Sequence, residues 1–128
     1  MRLLLDTHLV LWWLTRAQRV PDEAQELVEN ADHPAAISHA SLWEMAIKIS
    51  IGKLEIDLPR FVKMAEASGF EWLDIKKEHL LALAVLPPCD DHRDPFDRLL
   101  VAQSQAEPLV LLTCDAKLAR YGSTVRVV

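Results

Sequence analysis

Residues 109–113, LVLLT, are apolar almost throughout, with no alternation of polar and apolar positions. A strand with one face in water alternates, so a run apolar on both faces must be covered on both. Other short runs of this kind are 2–5 (RLLL), 35–38 (AAIS), 71–75 (EWLDI) and 125–128 (VRVV). Between them lie stretches of helical length or spacing: THLVLWWLT, 22–30, SLWEMAIKISIG with Gly52 as its stop, 59–68, 76–86, 95–106 and a short one at 116–120. Uniform strands alternating with amphipathic helices predict an α/β fold: a parallel sheet of five strands with helices on both faces.

The chain of 128 residues is expected to form a single domain, 1–128, large enough for a real core. Half of it is apolar (51%) and a quarter charged (26%), as in ordinary globular proteins. The apolar run Leu9 to Leu14 is too short for a bilayer, and MRLLLD lacks the apolar length of a secretory leader. The expectation is a cytoplasmic protein with no membrane contact. Cys89 and Cys114 have no metal-ligand spacing and read as free thiols. A net charge of −5 argues against a broad basic surface for nucleic acid. An acidic pocket neutralised by a metal, or a local basic rim, remains compatible with it.

The position of each acid within its strand–helix unit is informative, because open parallel sheets bind ligands beyond the carboxyl ends of their strands. Asp6 follows the first strand directly, and Asp115 lies two residues after Thr113 at the end of the fourth. Ser38 ends the second strand, with Glu44 six residues on in the next helix. Asp97 opens the helix that leads into the fourth strand. These acids could meet at one sheet edge, where they would repel unless protonated or bound to cations. Hard oxygen donors without Cys or His spacing suit Mg²⁺ or Mn²⁺, the ions nucleases use to activate water.

Each acid also has a plain structural reading. Asp6 and Asp115 suit helix caps, and Glu44 stands four residues before Lys48 in ion-pair order. In HRDPFDRLLVAQ (92–103), Asp94 before Pro95 fits an N-cap with proline at N1. That places Asp97 at N3, where a capping-box acid is also at home. His8, His39 and His92 fall near the same edge but match no zinc pattern, and His33 and His79 read as surface residues. Trp12 and Trp13 make the first helix apolar nearly all round, so it is buried or faces a partner.

The stretches LLLDTHLVLWWL, ISHASLWEMAIKISIGKLEI, DPFDRLLVAQSQ and LLTCDAKLARYG, in this order, cover essentially the whole chain. In these motifs the sequence resembles the PIN domain, and in particular the VapC toxins of type II toxin–antitoxin pairs. The resemblance implies a three-layer α/β/α sandwich around a parallel sheet of about five strands. It implies a ribonuclease dependent on Mg²⁺ or Mn²⁺, with Asp6, Glu44, Asp97 and Asp115 as catalytic, metal-binding acids. Thr7, Ser38 and Thr113 match the hydroxyl residues that accompany them. An RNA substrate, a cognate antitoxin and a homodimer are the partners it implies. Lys48, Arg93 and Arg98, each close in sequence to an acid, are candidates for RNA contacts or for ion pairs.

Two other readings are compatible with a parallel α/β chain. A receiver-type signalling domain needs a paired acid after strand one and a lysine after strand five, whereas Asp6 is followed by Thr7 and His8. A catalytically idle PIN-like module that binds RNA or protein would keep the fold without convergent acids.

Overall fold

The computed structural model describes residues 1–88 and 94–128; Cys89, His92 and Arg93 lie outside the described residues. The elements run β1 (Leu3–Leu5), α1 (Thr7–Thr15), α2 (Asp22–Glu29), β2 (Ala35–Ser38), α3 (His39–Ser50), α4 (Leu58–Ala67), β3 (Glu71–Leu73), α5 (Lys77–Ala84), α6 (Pro95–Ala106), β4 (Val110–Thr113) and β5 (Val125–Val127). Single-turn 3₁₀ segments cover Ala17–Arg19, before α2, and a longer one Ala116–Tyr121, before β5. Every strand read from the sequence is present, with β3 two residues shorter than the EWLDI run.

All strands are parallel, in the order β3-β2-β1-β4-β5. The pleat sorts the uniform leucine runs into two cores. Leu3, Leu5, Ile37 and Leu112 face α1 and α4, meeting Leu9, Val10, Phe61 and Ala65. Leu4, Ala36 and Leu111 face α6, meeting Leu99, Leu100 and Val101. A sheet apolar on both sides thus becomes the middle of three layers. Trp12 and Trp13 are half-buried against the first core, Trp13 edge-on to Phe70 at 6.3 Å.

Helix starts are set by side-chain caps. Asp6, Ser38, Asp57 and Asp94 each accept a backbone N–H of the helix they precede, and Pro95 occupies N1 of α6. Helix α3 ends at Gly52, whose φ of 76° is a left-handed turn that a side chain would strain. From the central strand β1 the chain first lays strands to one side (β2, β3) and then to the other (β4, β5). The direction reverses between β1 and β4, which opens a crevice at their carboxyl ends. Asp6 and Asp115 lie immediately beyond those two ends.

Candidate active site

Asp6 is almost fully buried, and both of its oxygens are held. Oδ1 accepts the Leu9 N–H at 2.8 Å, and Oδ2 accepts a hydrogen bond from the Thr113 hydroxyl across the β1–β4 crevice. The same hydroxyl accepts the Asp115 N–H at 3.0 Å. Thr113 therefore couples two of the acids through one oxygen. Asp115 in turn caps the 3₁₀ segment, accepting the Lys117 N–H at 3.0 Å.

Glu44 is buried on α3. Lys48, one turn on, donates to Oε2 at 2.7 Å, as the spacing suggested. Oε1 is different: among the described residues it is the buried side-chain oxygen left without a hydrogen-bond partner. An unpaired buried carboxylate oxygen is costly, and such an atom in a native fold calls for an explanation such as an ion.

Asp97 sits at N3 of α6, behind Asp94, whose Oδ1 accepts the N–H groups of Phe96 (2.9 Å) and Asp97 (3.1 Å). Burial, followed by the negative charges of Asp94, Asp6, Glu44 and Asp115, pushes the Asp97 carboxyl from 3.8 up to about 7. Burial likewise raises Asp6, against the pull of its Thr113 and Leu9 bonds. The four acids thus share one electrostatic field. They do not form a closed cage: among the described residues, no three Asp, Glu, His or Cys side chains stand as a ready-made coordination set. The donor set nevertheless fits a hard divalent cation, being all carboxylate and charge-coupled, with Asp6 and Glu44 buried and one oxygen unclaimed.

A sequence profile of the PIN domain matches residues 3–123. The chain belongs to the PIN domain family. It is 26% identical over 127 residues to ribonuclease VapC22 of Mycobacterium tuberculosis, covering 92% of this chain and 90% of that protein. Its fold is similar to VapBC2 of Rickettsia felis bound to a promoter DNA fragment, with a TM-score of 0.74 at 17% identity over 100% of this chain and 98% of that one. It is also similar to a toxin–antitoxin complex from Klebsiella pneumoniae, with a TM-score of 0.64 at 20% identity over 97% and 95% of the two chains.

In this PIN domain the three hydroxyl residues are not equivalent. Thr113 alone of the three bonds an acid directly. Thr7 donates to the Ser41 hydroxyl at 2.9 Å, and Ser38 donates to Gln103 Oε1 at 2.6 Å while accepting the Ala40 N–H. Arg98 points its guanidinium at the carbonyl oxygens of Pro87 and Leu86 and at the Tyr121 hydroxyl, so it ties α6 to the loop after α5. Arg93 lies outside the described residues. His39 stands 3.2 Å from Asp74 and is substantially exposed, and His8 is exposed beside Trp12.

One expectation fails. His79, read as a surface residue, is fully buried, while Leu80, Leu81 and Val85 around it are exposed. The imidazole has polar partners inside, Lys76 N–H, Gln103 and Glu107, that the leucines would not satisfy. Two further features went unread. Gln103 is fully buried within α6, and Trp43 meets Phe96 edge-to-face at 4.9 Å, tying α3 to α6 beside Glu44 and Asp97. The signal for Gln103 was its spacing: it falls on the apolar face three and four residues after Leu100 and Leu99.

Proposed function

We propose that this PIN domain is a metal-dependent ribonuclease that hydrolyses RNA phosphodiester bonds, acting in the cytoplasm as the toxin of a type II toxin–antitoxin pair. The observation that carries this reading is the buried, unpartnered Oε1 of Glu44, charge-coupled to Asp97 at the switch-point crevice. The VapC ribonuclease relative and the VapBC complexes support it.

Asp6, Glu44 and Asp97 would hold Mg²⁺ or Mn²⁺, with Asp115 assisting directly or through water. An ion so bound supplies a water of lowered pKa and offsets charge on the phosphate oxygens. The rest of the work belongs to the chain. Leu9 N–H and Thr113 fix the Asp6 carboxylate in one orientation. Lys48 engages one oxygen of Glu44 and leaves the other unclaimed. The positive end of α6 favours the charged form of Asp97 that a ligand requires. Lys48, partly exposed beside Glu44, is the described cation best placed to meet a phosphate.

An antitoxin and a second copy of the chain are the protein partners in this reading. The exposed Leu80 and Leu81 of α5 with Val85 just after it, and Trp43 and Ile47 of α3 with Ile51 just after it, offer apolar surface for them.

The test is cleavage of RNA by purified protein freed of any partner. EDTA abolishes it and Mn²⁺ restores it; Asp97→Asn abolishes it while the protein unfolds as a folded domain should. Full cleavage by Asp97→Asn overturns the site, and an inert wild type across many RNAs with Mn²⁺ favours the idle module. In cells, expression of wild type arrests growth and Asp6→Ala does not.

A further inference from the structure

A second buried polar group of side chains runs behind the acids, and its hydrogen-bond directions follow from backbone groups alone. The Asp74 carbonyl takes a bond from Gln103 at 3.2 Å, so Nε2 of that amide must face it. Gln103 Oε1 is thereby turned to Ser38, whose hydroxyl donates to it at 2.6 Å and accepts the Ala40 N–H at 3.0 Å. At the other end, the Lys76 N–H points at His79 Nδ1 at 3.0 Å, and Gln103 Nε2 approaches the same nitrogen at 3.2 Å. Two donors on Nδ1 make it an acceptor, so the ring proton sits on Nε2, 2.5 Å from Glu107 Oε2.

The elements joined in this way are those that carry the site. Ser38 caps α3, which holds Glu44. Gln103 is on α6, which holds Asp97, and Glu107 ends that helix. His79, at the start of α5, is bonded to both Gln103 and Glu107, one helical turn apart on α6. With Trp43 against Phe96, the two helices are tied at two levels.

We propose that His79 is a positioning residue: in its Nε2–H form it fixes the Gln103 amide toward Ser38 and so sets the spacing of α3 and α6, and with it that of Glu44 and Asp97, for a divalent cation. The proposal rests on the metal-site reading above and adds to it a residue that touches neither ion nor RNA. His79→Phe fills much the same space but offers no acceptor to Gln103 or to the Lys76 N–H. His79→Asn returns an acceptor close to Nδ1 without the bond to Glu107.

The decisive measurement is the Mn²⁺ dissociation constant by titration calorimetry of the whole protein, with RNA cleavage read separately. His79→Phe weakens Mn²⁺ binding about tenfold or more, the range seen when the residues that orient metal ligands are lost. His79→Asn stays within about threefold of wild type, as the same outer-layer argument requires. Phe61→Leu, in the opposite core, controls for lost stability and binds Mn²⁺ as wild type does. If His79→Phe fails to fold, Gln103→Met cuts the same chain and is expected to show the same weakening. Unchanged Mn²⁺ affinity in the folded His79→Phe or Gln103→Met protein overturns the positioning role alone, as does equal weakening by the Phe and Asn variants. A wild type that binds Mn²⁺ but leaves RNA intact overturns the ribonuclease reading alone, and one that binds no Mn²⁺ overturns both.

Discussion

Two of the polar side chains on helix α6, Asp97 in its first turn and Gln103 in its third, have opposite surroundings. Around Gln103 the amide, Ser38, His79 and Glu107 all find partners, with directions fixed by backbone groups. At Asp97, burial and the charges of Asp94, Asp6, Glu44 and Asp115 push the carboxyl to about 7, and among the described residues Glu44 Oε1 has no hydrogen-bond partner. A buried polar group that closes on itself rigidifies a fold, whereas one left open stores a demand that something outside must meet. The difference between them separates scaffold from site on a single helix.

Replacing one polar side chain in each region should break the molecule in different ways, and the largest effect belongs to the open one. Glu44→Gln removes one of the negative charges crowding Asp97 and keeps an acceptor for Lys48, so its thermal midpoint is expected to stay level or rise. Its RNA cleavage is expected to fall about a hundredfold or more, as for loss of a ligand or its orienter. Gln103→Met does the reverse to stability. It strands the buried Ser38 hydroxyl proton, and a buried unsatisfied group costs about 1–3 kcal/mol. Urea unfolding of the two variants checks this; a Glu44→Gln protein less stable than Gln103→Met would erase the distinction.

The pH dependence of stability should carry the same contrast, with opposite signs. Asp97 titrates at about 7 when folded and near 3.8 when not. Between those values the folded state holds a proton that the unfolded chain has lost, so metal-free protein loses stability as pH rises from about 4 to 7. Asp6, raised mainly by burial, adds in the same direction. Glu107 is lowered by the His79 N–H it accepts, so its contribution is present above its ordinary value of 4.5 and is lost as pH falls through its folded one. Thermal midpoints in EDTA are expected to peak in mild acid. Asp97→Asn flattens the alkaline side by a few degrees, a shift on the order of 1 kcal/mol for a domain this size. A wild-type midpoint that climbs steadily to pH 8 would contradict it.

The two regions also differed in how far the sequence disclosed them. The strand-end acids were legible because short apolar runs locate the sheet, and a parallel sheet locates its own ligand edge. Asp6 and Asp115 flank the β1–β4 reversal for that reason. The closed network was not legible. His79 lies between Lys77, Glu78 and two leucines, where hydropathy buries the leucines and exposes the imidazole; tertiary partners on α6 reverse this. Gln103 lies in VAQSQ, an unremarked polar letter in an apolar stretch. Its role depends on Ser38 and Asp74, which are 65 and 29 residues away in the chain. Long-range pairing of neutral polar groups leaves little periodic trace, whereas charge at a strand end leaves a positional one.

Asp94 tests the boundary between the regions, with the smallest expected effect. It caps α6 through the Phe96 and Asp97 amides, yet its charge is also, after burial, the largest influence raising the Asp97 carboxyl. Asparagine caps as well as aspartate but carries no charge. Asp94→Asn therefore should leave stability in mild acid within about 0.5 kcal/mol, since the cap survives. It should also lower the pH at which the Asp97 carboxyl titrates, as carboxyl carbon NMR shifts would record. Asp94→Ala removes cap and charge together and should cost about 1 kcal/mol. If Asp94→Asn left the Asp97 titration where it was, the raised value would belong to burial and the other three acids, and Asp94 would be purely a cap.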